Sequence, residues 1–350
     1  MRVLCALSGG VDSSVAAALL LDEGHEVVGV TMKLWGGASD TGCCSVADVE
    51  DARRAAAQLD VEHHVFNFGD EFNRHVVDPY VADHAAGRTP NPCVECNRHL
   101  KFDQLLRRAE VLGFDAVATG HHARVVEVGD GARRIARGAD AAKDQSYVLH
   151  PLTSHDLERV LLPVGELTKA QVRHRAEELG LRTAAKPESQ DVCFITRAEG
   201  RRTFLGERAE LHPATVVDQH GAQVGDVDAV ELVTVGQRRG LELAGGGVRR
   251  YVTDVDVPAR TVTVGRREDL LRDDVVLDTL VWAGEPVSGP VLAQRSAHGA
   301  VAPASVGATS SGTVALRWDS PQPRVAPGQS VVLYRHIGDD EVVVGGGLAR

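Results

Sequence analysis

The feature that most constrains the fold is a glycine loop between a predicted strand and a predicted helix. Leu7-Ser8-Gly9-Gly10-Val11-Asp12-Ser13-Ser14 joins the apolar run Val3–Leu7 to a helical pattern over Ser13–Asp22. Glycines permit a tight turn that aims several backbone N–H groups at an anion, and the following helix adds the positive end of its dipole. Serine hydroxyls can donate further hydrogen bonds, and Asp12 can hold Mg²⁺ or orient the loop. The spacing and the missing lysine exclude a Walker A loop, but the segment predicts a phosphate site.

Short apolar runs and helical patterns alternate over the first half of the chain. After the first strand and helix, the predicted elements are strand Glu26–Met32, helix Val46–Leu59, strand Val61–Phe68, helix Phe102–Leu112 and strand Ala116–Thr119. This alternation predicts an α/β fold, a doubly wound parallel sheet with helices on both faces. Ligands bind at the carboxyl ends of such strands, so the loops after Leu7, Met32 and Thr119 are expected to share one site.

The second half of the chain is predicted to be mainly β. It is preceded by a hairpin, Arg124–Glu127 with Arg134–Arg137, and by a helical pattern over Leu157–Leu181. From about Ala214 onward, short Val-rich segments separated by Gly, Asp and Pro indicate two small β modules, the last expected as a β-barrel. Ser296–Ser311 is predicted as a flexible loop, and the glycine triplets 245–247 and 345–347 as turns. We expect domains over residues 1–200, 201–272 and 273–350.

Bulk composition excludes several classes of protein. No stretch approaches the ~20 apolar residues of a membrane span, and the short apolar run at the N-terminus does not fit a signal peptide. A cytoplasmic protein without membrane contact is therefore expected, and its six cysteines are not expected to form a stapling disulfide framework. The net charge of −11 argues against tight non-specific RNA binding. A local basic surface can still select one RNA.

Two segments carry cysteines in polar surroundings. Cys93 and Cys96 form a C-x-x-C pair within Thr89–Asn97, which its prolines predict to be a loop. That spacing fits a redox pair, half a zinc site completed by histidines such as His99 or His121, or coincidence. Cys193 lies in Lys186-Pro187-Glu188-Ser189-Gln190-Asp191-Val192-Cys193-Phe194. Alone it would be interpreted as a buried thiol, whereas two distant cysteines on loops beside a nucleotide suit sulfur transfer.

Two further residues fit an adenosine pocket. Met32 ends the second strand, and its soft side chain suits the face of a base as well as an ordinary core. Gly120 follows the Ala116–Thr119 strand and permits close approach of the backbone to a ligand, or simply a turn. The loop Ser8–Ser14 itself resembles the PP-loop of the ATP pyrophosphatase superfamily. Members of that superfamily split ATP between the α and β phosphates and adenylate an oxygen of their substrate.

The order of several motifs extends the resemblance over essentially the whole chain. The chain is similar to the tRNA-specific 2-thiouridylases, and the motifs that carry this similarity are Ser8–Ser14, Thr89–Asn97, Thr119–His121, Lys143–Tyr147, Lys186–Phe194, Thr234–Leu241 and Pro327–Gln329. The resemblance implies ATP-dependent 2-thiolation of the wobble uridine, expected in the Lys, Glu and Gln tRNAs, through an adenylated base and a cysteine persulfide. It also implies a PP-loop catalytic domain, a central β-rich domain and a tRNA-binding C-terminal barrel.

The resemblance further implies roles for individual residues. Cys193 would carry the persulfide and Cys96 would be the other catalytic thiol, with a disulfide between them as the oxidised product. ATP, with Mg²⁺, would be bound by Ala6, Leu7, Ser8, Gly9, Gly10, Val11, Asp12, Ser13, Met32 and Gly120. The tRNA and its target base would be contacted by Asn91, Pro92, Cys93, His121, Lys143, Asp144, Gln145, Arg295, Ser296 and Gln329. The implied partners are the anticodon arm of a tRNA and a persulfide donor, such as a cysteine desulfurase or a relay protein.

Two positions depart from the family pattern. Many members have an aspartate where this chain has Cys93, and relatives often have an aromatic residue where it has Ser296. Cys93 is then a bystander, an alternative thiol or a ligand. With Cys96 and Cys193 it would supply three thiols, enough for an iron–sulfur cluster with one open iron. The competing interpretations are thiolation through such a cluster, a PP-loop synthetase acting on a small metabolite, and a non-catalytic RNA-binding or redox module.

Overall fold

The computed structural model describes residues 1–34, 45–129, 131–187, 192–195, 200–243, 249–308 and 312–350. Its strands are β1 (Arg2–Ala6), β2 (Glu26–Lys33), β3 (Glu62–Asn67), β4 (Ala116–Ala118), β5 (Ala123–Glu127), β6 (Arg133–Arg137), β7 (Val160–Leu161), β8 (Ala214–Val217), β9 (Gln223–Val227), β10 (Glu242–Leu243), β11 (Tyr251–Asp256), β12 (Thr261–Gly265), β13 (Leu271–Trp282), β14 (Gly289–Gln294), β15 (Ala302–Ala308), β16 (Val314–Pro323), β17 (Ser330–Ile337) and β18 (Asp340–Ala349).

Its α-helices are α1 (Val11–Asp22), α2 (Val46–Gln58), α3 (Gly69–Phe72), α4 (Asp78–Ala85), α5 (Pro92–Glu95), α6 (Leu105–Val111), α7 (Ser154–Leu157), α8 (Lys169–Glu178) and α9 (Gly200–Gly206). Wider helical turns cover Asn73–Val77 and Cys96–Gln104, and tighter ones cover Ser146–Leu149, Arg182–Ala185, Val230–Leu232 and Glu268–Leu270. None of the helices in the described ranges has the length and apolarity that crossing a membrane requires.

A five-stranded parallel sheet in the order β3-β2-β1-β4-β7 forms the first half of the molecule. Side chains alternate along β1, so Val3 and Cys5 pack into one hydrophobic cluster with Val15 of α1. Leu4 packs into a second cluster, which contains Phe72 and lies on the opposite face. Both faces of the sheet are therefore covered, which confirms the predicted doubly wound α/β fold.

The second half contains two β modules. The first is a mixed sheet in the order β10-β9-β8-β12-β11, in which β8 and β12 are parallel. The second is an antiparallel sheet that closes into a barrel because β13 pairs with both β16 and β18. The predicted C-terminal barrel is thus confirmed. The predicted hairpin β5–β6 extends the barrel's sheet where Ala136 pairs with Val342, and this pairing joins the two halves of the molecule.

Three local predictions are wrong for identifiable reasons. Leu157–Leu181 is not one helix: it contains β7, and α8 begins only after the capping box of Thr168. Ser296–Ser311 contains the strand β15, since small residues still pair with β14 and β16. The triplet 345–347 lies within β18, where a Cβ on Gly345 would come 2.6 Å from the ring of Trp282, so the glycines allow close packing and make no turn.

Several predictions fall outside the described residues. The triplet 245–247 lies there, and so does the tip of the predicted hairpin loop at Asp130. The same holds for Cys43 and Cys44, which the sequence assigned no role, and for residues 188–191 of the segment that precedes Cys193.

Candidate active site

The glycine loop lies at the carboxyl end of β1 and leads directly into α1. Thr31 Oγ1 donates to the carbonyl of Leu7 at 2.7 Å, which ties the start of the loop to β2. Ser13 Oγ accepts from the Ser8 N–H at 3.1 Å and donates to the Gly10 carbonyl at 3.2 Å, so the loop closes on itself. Helix α1 is capped by Gly10, which has no side chain for the first helical N–H groups. These groups can therefore bind a phosphate.

Two basic side chains donate hydrogen bonds to Asp12 in the first turn of α1. Lys169 Nζ, on α8, lies 2.7 Å from each carboxylate oxygen, and His122 Nε2 lies 3.0 Å from Oδ1. Burial raises the pKa of Asp12, but the hydrogen bonds and charges of His122 and Lys169 outweigh it, and the pKa is lowered from its ordinary value. The carboxylate is therefore ionised at neutral pH and holds a lysine beside the glycine loop.

A second lysine holds the glycine loop from another side. Lys186 Nζ donates to the carbonyl of Gly9 at 3.0 Å and to Asp48 and Asp51 of α2 at 2.8 and 2.6 Å. Burial lowers the pKa of Lys186, but the two carboxylates outweigh this and raise it. The lysine therefore stays protonated and connects the loop, through its own segment, to the stretch that leads to Cys193.

Gly120 lies against the backbone of the glycine loop. A Cβ at this position would come 2.5 Å from the nitrogen of Ser13 and 2.6 Å from the carbonyl carbon of Asp12. The close approach that the sequence predicted for a ligand is thus made by the loop itself. The next residue, His121, is buried beside Thr119, whose Oγ1 lies 2.7 Å from His121 Nδ1. Burial lowers the pKa of His121 well below its ordinary value, so its ring is neutral at neutral pH.

Cys93 and Cys96 lie on helical structure, so the loop predicted for them is wrong. Pro92 occupies the first position of α5, where the missing N–H costs little. Asn91 caps this helix, since its Oδ1 accepts from the Cys93 N–H at 3.1 Å. Helical structure then continues through Cys96–Gln104 into α6. The prolines mark the start of a helix.

The cysteines of the candidate site have different surroundings. Cys93 is exposed, whereas Cys96 is buried in the hydrophobic cluster of Phe72, on one face of the parallel sheet. Cys193 is half-buried and packs against the same cluster, as do Ala6 and Met32 near the ends of β1 and β2. The structure therefore brings Cys96 and Cys193 to one cluster with two of the residues predicted to bind ATP.

The metal sites that the sequence left open would use Cys93 and Cys96 with histidines, or both with Cys193. Within the ranges described above, no group of three or more His, Cys, Asp or Glu side chains is arranged to hold a metal ion. Of the three thiols that an iron–sulfur cluster would need, Cys93 is exposed, Cys193 is half-buried and Cys96 is buried. Cys5 is a further thiol, but burial raises its pKa to about 12, so it stays protonated and unreactive.

The segment before α5 contacts both β modules at what we call the Thr89 junction, formed by Thr89, Thr234, Pro327 and Gly328. The Thr89 N–H donates to the Pro327 carbonyl at 2.7 Å, and Thr89 Oγ1 lies 3.4 Å from Thr234 Oγ1. Gly328 has φ +84°, and a Cβ there would come 2.9 Å from the Cβ of Arg88. A turn of the barrel and a turn of the central module therefore meet directly before the helix that carries Cys93.

Three of the residues predicted to contact tRNA lie at one end of the barrel. Arg295 and Ser296 follow β14, Gln329 precedes β17, and all three are half-exposed. Gln294 of β14 pairs with Val332 of β17, so the end of one strand lies beside the start of the other. Since Gln329 adjoins Gly328 of the Thr89 junction, this end of the barrel faces the start of α5.

Hydrogen bonds to Arg137 and His122 fix the loop Lys143–Gln145, which is also predicted to contact tRNA. The Asp144 side chain is only 4% exposed and accepts from Arg137 at 2.7 Å. The Gln145 side chain accepts from the His122 N–H at 2.9 Å, and the Gln145 N–H donates to the His122 carbonyl at 2.9 Å. Lys143 is half-exposed. Asp144 therefore shapes the loop, whereas Lys143 retains surface toward a partner.

Comparison with known proteins places the chain in a family. Family models match over residues 1–197 (tRNA methyl transferase HUP domain), 202–266 (tRNA methyl transferase PRC-barrel domain) and 272–349 (Aminomethyltransferase beta-barrel domain). The chain is 43% identical to a tRNA-specific 2-thiouridylase MnmA of Herpetosiphon aurantiacus, over 99% of this chain and 98% of the relative. It is 44% identical to that of Mycolicibacterium smegmatis, over 100% of both. The chain belongs to the tRNA-specific 2-thiouridylase family.

Membership of the 2-thiouridylase family confirms the resemblance drawn from the order of the motifs, and makes the chain a sulfurtransferase. Among solved structures, a 4-thiouridine synthetase in complex with RNA and ATP is similar over 55% of this chain and 44% of its own, at 22% identity and a TM-score of 0.39.

Sequence reasoning missed several side chains that hold the glycine loop. His122 and Lys169 bind Asp12, and Asp48 and Asp51 bind Lys186, a residue that lay in a quoted motif without a role. Only the two aspartates carried a local signal, since acidic residues in the first turns of a helix after a nucleotide-binding strand face the same sheet edge. His122 follows β4 in the loop that the sequence placed at the same sheet edge, whereas Lys169 had no signal, because only the fold brings α8 to Asp12.

Proposed function

We propose that this chain replaces oxygen 2 of the wobble uridine of tRNA with sulfur in a reaction that consumes ATP. The expected substrates are the Lys, Glu and Gln tRNAs. The observation that carries the proposal is the packing of Cys96 and Cys193 against the same hydrophobic cluster as Ala6 and Met32. A base held beside this cluster would lie within reach of a nucleotide on the glycine loop and of both sulfur-bearing side chains.

ATP would be held by residues 6–13 with Met32 and Gly120. Its phosphates would meet the first N–H groups of α1, as at other helix N-termini that bind anions. Proteins hold Mg²⁺ through one or two carboxylates together with substrate phosphates, and here Asp12 would share its carboxylate between Mg²⁺ and Lys169. Bound there, Mg²⁺ would neutralise charge on the departing pyrophosphate. Lys169 lies beside Asp12, within the same charge cluster, and can neutralise further phosphate charge.

The first chemical step makes the uridine oxygen a leaving group. Oxygen 2 attacks the α-phosphorus of ATP, the bond to the bridging oxygen breaks, and pyrophosphate departs. The product carries AMP on oxygen 2, so carbon 2 becomes a good electrophile. Positive charge and backbone N–H groups fixed in place before reaction stabilise such a charged transition state. In this chain Lys186, held by Asp48 and Asp51, keeps the glycine loop in that arrangement.

The second step delivers sulfur. The terminal sulfur of a Cys193 persulfide adds to carbon 2, and AMP leaves. The Cys96 thiolate then attacks the Cys193 sulfur, which forms a Cys96–Cys193 disulfide and frees the thiouridine. In the other route Cys96 first attacks the Cys193 sulfur and releases hydrosulfide, which adds to carbon 2. Both routes end in a disulfide that an external thiol must reduce, and both need a persulfide donor, such as a cysteine desulfurase or a relay protein.

We assign tRNA binding to all three proposed domains, 1–200, 201–272 and 273–350. A wobble uridine lies in a single-stranded loop, which lowers the cost of moving it into a pocket. Asn91, Pro92 and Cys93 would lie beside that base, with His121 and the loop Lys143–Gln145 nearby. The end of the barrel that carries Arg295, Ser296 and Gln329 would contact the anticodon arm. The enzyme would act in the cytoplasm, where its tRNA substrates are found.

The exposed pair Arg238 and Arg239 lies in the Thr234–Leu241 motif of the central module. Exposed arginines can be merely solvated or can contact phosphate, and reversing their charge distinguishes the two roles. Reversal of both charges is expected to weaken tRNA binding and to reduce its salt dependence.

The test is a thiolation assay under anaerobic conditions. The full chain is incubated with ATP, Mg²⁺, a persulfide source and unmodified tRNA, and 2-thiouridine and AMP are measured together. We expect equal amounts of both products and none with a non-hydrolysable ATP analogue. AMP formation on a small amide without tRNA would support a PP-loop synthetase of small metabolites. Absence of thiolation under every sulfur supply would overturn the proposal.

A further inference from the structure

We propose that His122 is a positioning residue that fixes the loop Lys143–Gln145 relative to the ATP-binding loop. The inference rests on the proposed function and adds a residue that the resemblance did not assign. The His122 side chain is only 5% exposed, and its Nε2–H donates to Asp12 Oδ1 at 3.0 Å. Its backbone meets Gln145 through two hydrogen bonds of 2.9 Å, one in each direction.

Among the described residues, His122 contacts both loops directly, whereas Lys169 links them through Asp140, which accepts from the N–H groups of Lys169 at 2.9 Å and Lys143 at 3.0 Å. On one side of His122 lies Asp12 in the first turn of α1, and on the other lies Gln145, next to the half-exposed Lys143. A tRNA seated against Lys143–Gln145 would therefore be aligned with the nucleotide through the His122 side chain as well as through Lys169 and Asp140. Such alignment matters because reacting atoms must be aligned within a few tenths of an ångström for efficient transfer.

A second observation also points to a constrained ring. The Nδ1 atom of His122 is buried and accepts no hydrogen bond from the described residues. A buried polar atom without a partner is unfavourable, and proteins retain such atoms where the rest of the residue has another role. Here the ring keeps its orientation because Nε2 binds Asp12, at the expense of Nδ1.

Lys169 allows the role of His122 to be separated from nucleotide binding. Its ammonium group holds both oxygens of Asp12 at 2.7 Å, so Asp12 stays in place when the contact from His122 is removed. We therefore expect changes at His122 to leave ATP affinity nearly unchanged. The rate of tRNA-dependent AMP formation should fall, because the loops lose their direct connection through the His122 side chain and keep only the one through Lys169 and Asp140.

Three substitutions test the inference. In His122→Gln the amide nitrogen reaches the position of Nε2, in His122→Asn it reaches only that of Nδ1, and in His122→Leu the volume is kept without a donor. We expect the Asn and Leu variants to lose about tenfold in kcat for tRNA-dependent AMP and 2-thiouridine formation, the loss of one hydrogen bond to a charged group. The Gln variant should stay within about threefold of the parent, and the Kd for ATP and for tRNA should change less than about threefold in all three.

The outcomes separate this inference from the proposed function. A parent protein that forms no 2-thiouridine contradicts the proposed function. An active parent with an equally active Asn variant contradicts the role of His122, and so does a Gln variant no better than Asn. Loss of ATP affinity in step with kcat would show that His122 only supports the fold. Because the Gln variant keeps both size and donor, it remains informative when the other two fail to fold.

Discussion

The glycine loop and the Thr89 junction both bring backbone from separate elements into contact, but they are built differently. The loop consists of consecutive residues closed by hydrogen bonds among themselves, as between Ser8 and Ser13, and distant residues such as Lys186 only hold it from outside. The junction joins Thr89, Thr234 and Pro327, which belong to three different parts of the chain. A site built from consecutive residues depends on local geometry, whereas a site built from distant segments depends on how whole modules dock. The first is expected to govern nucleotide binding, and the second the placement of tRNA.

The largest expected effect is on sulfur transfer, which depends directly on neither the glycine loop nor the Thr89 junction. Cys193→Ser removes the proposed persulfide carrier, so 2-thiouridine formation should fall by about a thousandfold or more, as with other essential nucleophiles. ATP binding should be nearly unchanged, because serine keeps almost the size of the cysteine side chain where Cys193 packs against the hydrophobic cluster. A thiolation assay measures the rate of 2-thiouridine formation, and an ATP titration measures the affinity for ATP.

Cys5→Ala is the matched control for Cys193→Ser. Cys5 is buried in β1 on the other face of the sheet, and its thiol has no role in the reaction. Its variant should keep parental activity. Thiolation by Cys193→Ser at more than a tenth of the parental rate would contradict the persulfide role, whether or not ATP binding changes.

The next effect concerns the glycine loop alone. In Gly120→Ala the new Cβ would lie 2.5 Å from the nitrogen of Ser13, which is backbone and cannot move aside without shifting the loop. Overpacking of this kind costs about 1–3 kcal/mol, so ATP affinity should fall by up to about a hundredfold. Gly129→Ala is the control, since a Cβ there meets no atom within 4 Å. Equal ATP affinity in the two variants would show that the contact is unimportant for binding.

The glycine loop and the Thr89 junction also differ in how much of their structure the sequence predicts. The strand–loop–helix unit at Leu7–Ser14 was predictable because glycine spacing and helix dipole act over a few residues. Helix α5 is not predictable from Pro92 alone, because proline is typical of loops and is also favoured at the first position of a helix. The Thr89 junction had no local signal at all. Its members are ordinary turn residues, and Gly328 comes close to Arg88 only because the barrel docks against the segment before α5.

A third, smaller effect tests the Thr89 junction. In Gly328→Ala a Cβ would press on Arg88 at 2.9 Å, and φ of +84° disfavours any side chain. The turn before Gln329 should shift away from α5. We expect about a tenfold lower kcat for thiolation, the consequence of roughly 1–2 kcal/mol of misplacement, with ATP affinity unchanged.

Gly338→Ala provides the control for the junction. Gly338 also has a positive φ, +61°, but no atom lies within 4 Å of its Cβ position. Both variants therefore carry the backbone penalty, and only one carries the contact. Similar activities of Gly328→Ala and Gly338→Ala would mean that the docking of the barrel against Thr89 does not place the tRNA.

The last effect is on stability alone, leaves activity at neutral pH unchanged and depends on pH. Burial, with the charge of Arg201, lowers the pKa of His84 to about 4 against the hydrogen bond to the Glu231 carbonyl, so this histidine is neutral where α4 meets the central module. Its ordinary pKa of 6.5 applies to the unfolded chain, which therefore binds a proton that the folded chain does not bind between pH 6.5 and about 4. The stability that His84 contributes is present above pH 6.5 and is lost as pH falls to about 4, at most about 3 kcal/mol.

The pKa of Asp12 is also lowered, but from a value of 3.8. Its contribution is present above that pH and is lost only below it. Thermal unfolding midpoints at pH 7.5 and 5.0 distinguish the two regions. The difference in unfolding midpoint between the parent and His84→Gln should become smaller from pH 7.5 to 5.0. Only the parent loses the contribution of the neutral imidazole over this range. The gap between the parent and Asp12→Asn should stay constant, and a reversed pattern would place the pH-sensitive contact at the glycine loop.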